Sequence, residues 1–408
     1  MVNTRLSALI ALHGGGLSGI DSYAEQIAAA AAESGYAVTL LALGESTAIE
    51  LRRRFDGTSV SILPTAEVSA APWPRLARRL PQAALAEMRA LMIAALAKDG
   101  ARFDVAHLNH PGLAAAARRF SSRVVAGSWF YPHTPVGRVM ETWRHTGRLL
   151  PRSAALAVKG FSHYLNDRAG YRSCDLVAAP TDRLAAQLHS MGIPAAVFPP
   201  PAALANPSHD ADSVTASDAW TLMICAADLA HPRKNVLAGI RAAGILAKMG
   251  HRLELVLVGG NAGRLAPVIA SLPPPVTVRM TGRVPRPEIQ RWMAAADALV
   301  VPSLYEEWGY VATEALMAGT PVAAFPVYPF DDVLGPPFGR CADEMTPGAL
   351  ARAIAAVIEG HGDRQVLRQA AAARYGPDAA AERLRALWSL GPAESPPAAI
   401  TAHEALAS

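Results

Sequence analysis

Apolar runs four to seven residues long recur along this chain, separated by Ala-rich stretches of helical length. Leu6–Leu12, Val38–Ala42, Val60–Leu63, Val105–Leu108, Val124–Ser128 and Asp175–Ala179 read as strands. Helices are expected over Ser22–Ser34, from about Gln82 to Lys98, and over Asp182–Met191. A run that is apolar throughout is a strand buried on both faces, and alternation with helices supplies the cover. The polar, turn-forming stretch Ala202–Asp218 interrupts the pattern, which then begins again. Thr221–Ala226, Glu254–Val258, Val276–Met280 and Ala298–Val301 give the second set of strands, with helices over Asn235–Met249 and Pro287–Ala295.

The expected fold class is therefore α/β, with two Rossmann-like doubly wound parallel sheets. Residues 1–205 form one domain, 206–218 a linker and 219–376 the second domain. A last helix, 377–390, follows Tyr375-Gly376-Pro377, and residues 391–408 read as a disordered tail.

With 408 residues, 51% of them apolar and 18% charged, the chain has material for two cores and little for disorder. The formal charge of +4 suits phosphorylated ligands. No Lys/Arg run interleaved with aromatics accompanies it, so no nucleic-acid partner is expected. Cys174, Cys225 and Cys341 are odd in number and widely spaced, as buried small side chains in a reducing compartment would be. Met1–Leu12 is too short for a span and lacks a leader cleavage pattern, so a soluble, cytoplasmic protein is expected. The excess of Ala, Arg and Pro over Lys and Asn fits a GC-rich bacterial source.

The densest signal lies between Ala298 and Ala324. Ala298–Val301 runs into the polar loop Pro302–Gly309, an Ala/Leu/Met helix follows, and Gly319-Thr320-Pro321 turns into Val322-Ala323-Ala324. Strand, loop, helix and strand in that order make a βαβ unit. Glu306 in the loop and Glu314 in the helix stand eight residues apart. The helix start at Gly309, Tyr310 and Val311 offers backbone N–H groups to an anion, and a carboxylate on each side can accept from hydroxyls. A sugar nucleotide has that combination of groups. An ordinary helix with two solvated glutamates accounts for the acids, but not for the ordered turn, helix and stop signals around them.

Other loops at predicted strand ends carry chemistry. His13-Gly14-Gly15-Gly16-Leu17-Ser18-Gly19 separates the first strand from the first helix, where glycines let a ligand approach the backbone. A tight turn is the competing account of each single glycine. Arg233 and Lys234 precede the helix from Asn235, an unfavourable place for cations unless an anion bridges them. Gly282-Arg283-Val284 makes a turn whose arginine serves a phosphate, a base or an exposed salt bridge. His133 follows the strand Val124–Ser128, while His107 and His110 end another strand and are weaker candidates. No third ligand accompanies the histidines, and Asp210-Ala211-Asp212 lies in the linker, so neither a metal nor another cofactor is expected. The arginines in Pro72–Leu80 allow membrane-surface binding, but a solvated helix edge is the favoured reading.

Tyr305-Glu306-x-x-Gly309, followed by Glu314-Ala315-Leu316-x-x-Gly319-Thr320-Pro321-Val322, resembles the Glu-x7-Glu signature of the family 4 glycosyltransferases. These are retaining enzymes of GT-B fold. The resemblance implies an N-terminal acceptor domain and a C-terminal nucleotide-sugar domain facing across a cleft, with the last helix crossing back to the first. It gives the donor sugar's hydroxyls to Glu306 and the ribose to Glu314. Lys234 matches the family's diphosphate lysine, and Arg233 substitutes for its arginine, whose own slot falls at Ala227 or Asp228. Gly282 and Arg283 match the turn that holds the base, Gly309, Tyr310 and Val311 join the donor site, and His133 contacts the transferred sugar. Gly15, Gly16 and Gly19 match the loop at acceptor and phosphate, with Gly19 closest to its second glycine.

Two departures stand beside the reacting sugar. Phe325–Val333 replaces the family's Gly-Gly-x-x-Glu loop, and Glu307 stands where glycine is commoner. The expected function is transfer of a hexose or hexosamine, with retention, from a nucleoside diphosphate sugar to a hydroxyl of a small-molecule or glycan acceptor. The alternatives are a non-catalytic sugar-nucleotide-binding protein, or an epimerase or phosphorylase on the same scaffold.

Overall fold

In the computed structural model the described residues are 6–11, 19–66, 81–128, 136, 139–140, 154–202, 219–274, 276–360 and 362–389. They divide into two compact units: one runs to residue 201 and also includes 377–389, and the other spans 202–376.

The first unit is built on seven parallel strands: β1 (Ser7–Ala11), β2 (Ala37–Ala42), β3 (Val60–Pro64), β4 (Phe103–Leu108), β5 (Ser121–Gly127), β6 (Leu176–Ala179) and β7 (Ala195–Val197). Their order is β3-β2-β1-β4-β5-β6-β7. β1 is central, with Ile10 paired to Leu40 on one side and His107 on the other. Leu9, Leu41, Met92, Leu96, Leu108 and Val124 form the core beneath one face. The sheet order reverses between β1 and β4, the point where parallel α/β sheets gather ligands at strand carboxyl ends.

The second unit holds six parallel strands: β8 (Trp220–Asp228), β9 (Leu253–Gly260), β10 (Val276–Gly282), β11 (Ala298–Val301), β12 (Val322–Ala324) and β13 (Gly339–Cys341). Their order is β10-β9-β8-β11-β12-β13, so the reversal falls between β8 and β11. The helices Val236–Lys248 and Pro347–Glu359 cover one face, packing Ile240, Leu246, Leu350 and Ile354 onto Leu222, Leu255 and Val300. The α/β class and its parallel sheets are as the strand–helix alternation requires.

Several elements lie outside the sequence reading. β7 and β13 have three residues each, too few to show a period. The helices Glu45–Arg54, Ala154–Tyr171, Pro347–Glu359 and Arg364–Tyr375 are also additional. Thr346 starts the third of these by accepting from the N–H of Ala349. The helix Pro377–Ser389 completes the first unit: Trp388 meets Tyr36 edge-on at 4.8 Å and donates Nε1–H to Nδ1 of His107 at 3.1 Å. The proposed linker 206–218 and tail 391–408 lie outside the described residues. Among those described, no helix is long and apolar enough to cross a membrane.

Candidate functional site

Two loops flank the reversal point of the second sheet. After β8, Pro232–Lys234 makes a single 3-10 turn, which the Nδ1 of His231 caps by accepting from the N–H of Arg233. Asn235, with φ +49°, then swings the chain into the helix Val236–Lys248. After β11 comes Pro302–Gly309, and the N–H of Leu304 donates to the carbonyl of Arg233 at 2.8 Å. That bond ties the loops together because β8 and β11 are neighbours in the sheet.

Glu306 sits at this junction, 4% exposed. Its Oε1 accepts from Lys234 Nζ at 2.6 Å and Ser303 Oγ at 2.7 Å, and its Oε2 from an Arg233 NH group at 3.2 Å. Burial alone would raise its pKa, but Lys234 and Arg233, aided by the hydrogen bonds from Lys234 and Ser303, hold it below the ordinary carboxylate range. The anion required by two cations before a helix is therefore supplied from within the chain. A carboxylate offers about four lone-pair sites, so with three in use Glu306 retains one acceptor position, on Oε2.

Glu314 lies on the helix Tyr310–Met317, whose start is set by Gly309 at φ +79°. A Cβ on Gly309 would stand 2.6 Å from the ring of Phe330, so both the backbone and the space demand glycine. Phe330 belongs to the segment 325–333 that departs from the family pattern, and it forms the floor under the helix start. Arg286 NH2 donates to Glu314 Oε1 at 2.6 Å. Burial raises the pKa of Glu314 and Arg286 only partly opposes it. Cys225 on β8 feels both sites: burial first and then Glu314 push its thiol up to about 12, while Lys234 pulls the other way. Behind the loop, Trp308 meets Tyr375 in an edge contact at 6.0 Å, seating Pro302–Gly309 on the helix Arg364–Tyr375.

Gly282, at φ +71°, ends β10 and leads to Arg283. A Cβ on Gly260 would come within 2.9 Å of Arg283 Nε, so a bare backbone at the end of β9 lets this arginine lie across it. Asp228 closes β8 and accepts from Asn261 Nδ2 and the N–H of Ala230, both at 3.0 Å. The Asn261 bond leads in holding its carboxyl below the ordinary range. The slots at Ala227 and Asp228 thus bring no cation, and Arg233 and Lys234 are the cations at the reversal point.

In the first unit, Gly19 opens the helix Gly19–Glu33, while Gly15, Gly16 and His133 lie outside the described residues. His107 is a buried packing residue: it bonds Tyr23 Oη at 2.6 Å and Trp388 Nε1, and burial pushes its pKa down to about 3. The Nδ1 of His110 caps the turn Pro111–Leu113, and its Nε2 lies 3.9 Å from Asp167. Among the described residues no three His, Cys, Asp or Glu side chains are grouped to hold a metal ion. Sequence reading missed Ser303 and Arg286. Neither has a local signal, since each meets its carboxylate only through the folded loop or the adjacent helix.

Comparisons with known proteins bear on this arrangement. Residues 18–201 match the family model described as glycosyl transferase 4-like domain, and residues 218–374 that described as glycosyl transferases group 1. A 2-deoxystreptamine glucosyltransferase of Streptomyces kanamyceticus is 36% identical over 114 residues, 28% of this chain and 27% of that one. A D-inositol 3-phosphate glycosyltransferase of Thermobispora bispora is 33% identical over 165 residues, 37% of this chain and 39% of that one. The chain thus spans well under half the length of these two relatives. Among solved structures, a sucrose-phosphate synthase from Thermosynechococcus elongatus superposes with TM-score 0.65 at 19% identity, covering 94% of this chain and 98% of that one. A glycosyltransferase from Rickettsia africae gives TM-score 0.65 at 11% identity with the same coverages. At such identities the superpositions speak for the fold, which is GT-B. With the two domain models matched in order along it, the chain belongs to the GT4-type glycosyltransferases of GT-B fold.

Proposed function

We propose that the protein is a retaining glycosyltransferase that moves a hexose or hexosamine from a nucleoside diphosphate sugar to a hydroxyl of a small-molecule or glycan acceptor. The observation that carries this reading is the junction of Lys234, Arg233 and Glu306 at the β8–β11 reversal, with Glu314 beside it. The leaving group of such a reaction is a nucleoside diphosphate, on which negative charge grows as the glycosidic bond breaks. Lys234 and Arg233 neutralise that charge from positions fixed before the donor arrives, and a donor group so placed is typically worth about 10²–10³ in rate. Glu306 holds both cations and offers its remaining lone pair to a hydroxyl of the donor sugar. Glu314 accepts from the ribose, Arg283 with Gly282 borders the base, and the glycine loop with His133 serves acceptor and transferred sugar. The residues described here use no metal in this scheme.

The test is a thermal-shift screen of UDP-, GDP-, ADP- and dTDP-sugars and their free diphosphates, followed by turnover with the donor that binds. A shift of a few degrees from one nucleotide is expected, because ligand at 100 times its Kd adds about 2.7 kcal/mol. Transfer with that donor, lost in Glu306→Gln, supports the assignment. Binding without transfer to any hydroxyl acceptor favours a sugar-nucleotide-binding protein, and no binding at all defeats the nucleotide reading.

A further inference from the structure

Arg286 has no part in the scheme above. It is the first residue of the helix Arg286–Ala295, at the end whose dipole disfavours a cation. Its side chain, 43% exposed, crosses to the neighbouring helix and bonds Glu314, whose own side chain is 19% exposed. An ion pair between two solvated side chains would be of little consequence. Here one partner is withdrawn from water, and among the described residues no other cation stands at bonding distance from it. On β8 the titratable group that feels Glu314 is the Cys225 thiol, and Lys234 is bonded to Glu306. From the helix Arg364–Tyr375, Arg368 turns to the carbonyl of Ala318 and Arg364 to Asp297. β11 and β12 carry no charged residue.

We propose that Arg286 is a positioning residue for nucleotide binding: it keeps Glu314 ionised and oriented, so that both carboxylate oxygens can accept from the vicinal hydroxyls of the donor's ribose. The proposal rests on the nucleotide-sugar reading above. A protonated Glu314 would present one acceptor and one donor, and would lose the two-acceptor set a diol requires. Burial works towards that protonated form, and Arg286 is the charge that opposes it.

The experiment is calorimetric titration of UDP, GDP, ADP and dTDP into the full chain and its R286Q, R286K and R286Q/E314Q variants, from about pH 6 to about pH 8.5, with a melting curve for each. The readout is the ratio of variant to wild-type Kd, which cancels the titration of the nucleotide's own phosphate. For the diphosphate that binds, R286Q is expected to be weaker by about tenfold at the acid end, the loss of one hydrogen bond to a charged acceptor, and to recover as pH rises. R286K should follow the wild type, and the double variant should bind weakly throughout with no recovery. An R286Q ratio near one at every pH overturns the proposal. So does a loss independent of pH and shared by R286K, which would make Arg286 a direct ligand contact or a fold element. Wild-type protein that binds none of the four defeats the nucleotide reading beneath the proposal before any variant is made.

Discussion

Lys234 Nζ stands 2.6 Å from Oε1 of Glu306, joining residues 72 positions apart across the reversal point of the second sheet. Replacing Lys234 by Met should leave Glu306 buried with Arg233 as its remaining cation. Stranding a buried charge completely costs about 3–5 kcal/mol, and with Arg233 still in place about 2 kcal/mol is expected from urea unfolding of the second unit. Glycosyl transfer should fall by about 10², more than the change in donor affinity. A variant with wild-type kcat would remove Lys234 from the chemistry.

The same junction gives an acid limit. The pKa of Glu306 is lower folded than unfolded, so its stabilisation is fully present above the unfolded value of 4.5 and is lost as pH falls through the folded value. Wild-type protein should therefore lose stability below about pH 4.5 more steeply than Glu306→Gln, measured as the pH dependence of the urea midpoint. Parallel slopes would contradict the pairing.

His107 sets a second acid limit, in the first unit. It stays neutral in the fold down to about 3 while the unfolded chain protonates near 6.5. Between those values each pH unit of acidification should cost about 1.4 kcal/mol. Hydrogen exchange at residues 103–108 and 377–389 should accelerate together over that window, and His107→Gln should remove the slope.

Gly309→Ala combines a left-handed backbone with overlap against Phe330. The conformation alone costs a residue with a Cβ about 1–2 kcal/mol, and the overlap adds to it. A fall in Tm of at least about 4 °C is expected for the second unit, with weakened nucleotide binding. An unchanged melting curve would show that the helix start can be set without glycine.

Glu314→Gln should separate stability from binding. Because burial raises the pKa of Glu314, carrying its charge costs the folded state more than it costs the unfolded chain. Removing the charge should stabilise the second unit by about 1 kcal/mol while weakening the diphosphate that binds, the trade common to functional sites. Lower stability in this variant would mean that the bond to Arg286 outweighs desolvation.

The strands were legible because a parallel sheet covered on both faces needs apolar runs, and Leu222–Ala227 of β8, Leu255–Val258 of β9 and the whole of β11 are spelled that way. Glu306 and Glu314 were legible as a spaced pair, since their loop and helix follow one another in sequence. Their partners were not. Arg286 meets Glu314 and Lys234 meets Glu306 only because of the strand order and helix packing, which no local pattern encodes. Arg233 and Lys234 read as a pair awaiting a diphosphate, whereas the structure sets Glu306 against both, and the bond from the Leu304 N–H to the Arg233 carbonyl that ties the two loops together has no local signal. His107 reads as a strand-end histidine, and only the packing of Tyr23, Phe198 and Trp388 around it shows that it is sealed from water.

The helix Pro377–Ser389 belongs to the first unit although the whole second unit precedes it in the chain. On the ribosome, at about 5–20 residues per second, residue 201 therefore precedes the helix that completes its unit by roughly ten to forty seconds. Throughout that interval Tyr36 and His107 lack the indole that covers them, whereas residues 219–376 emerge as one uninterrupted block. The half of the molecule that is translated first is thus the last to be finished.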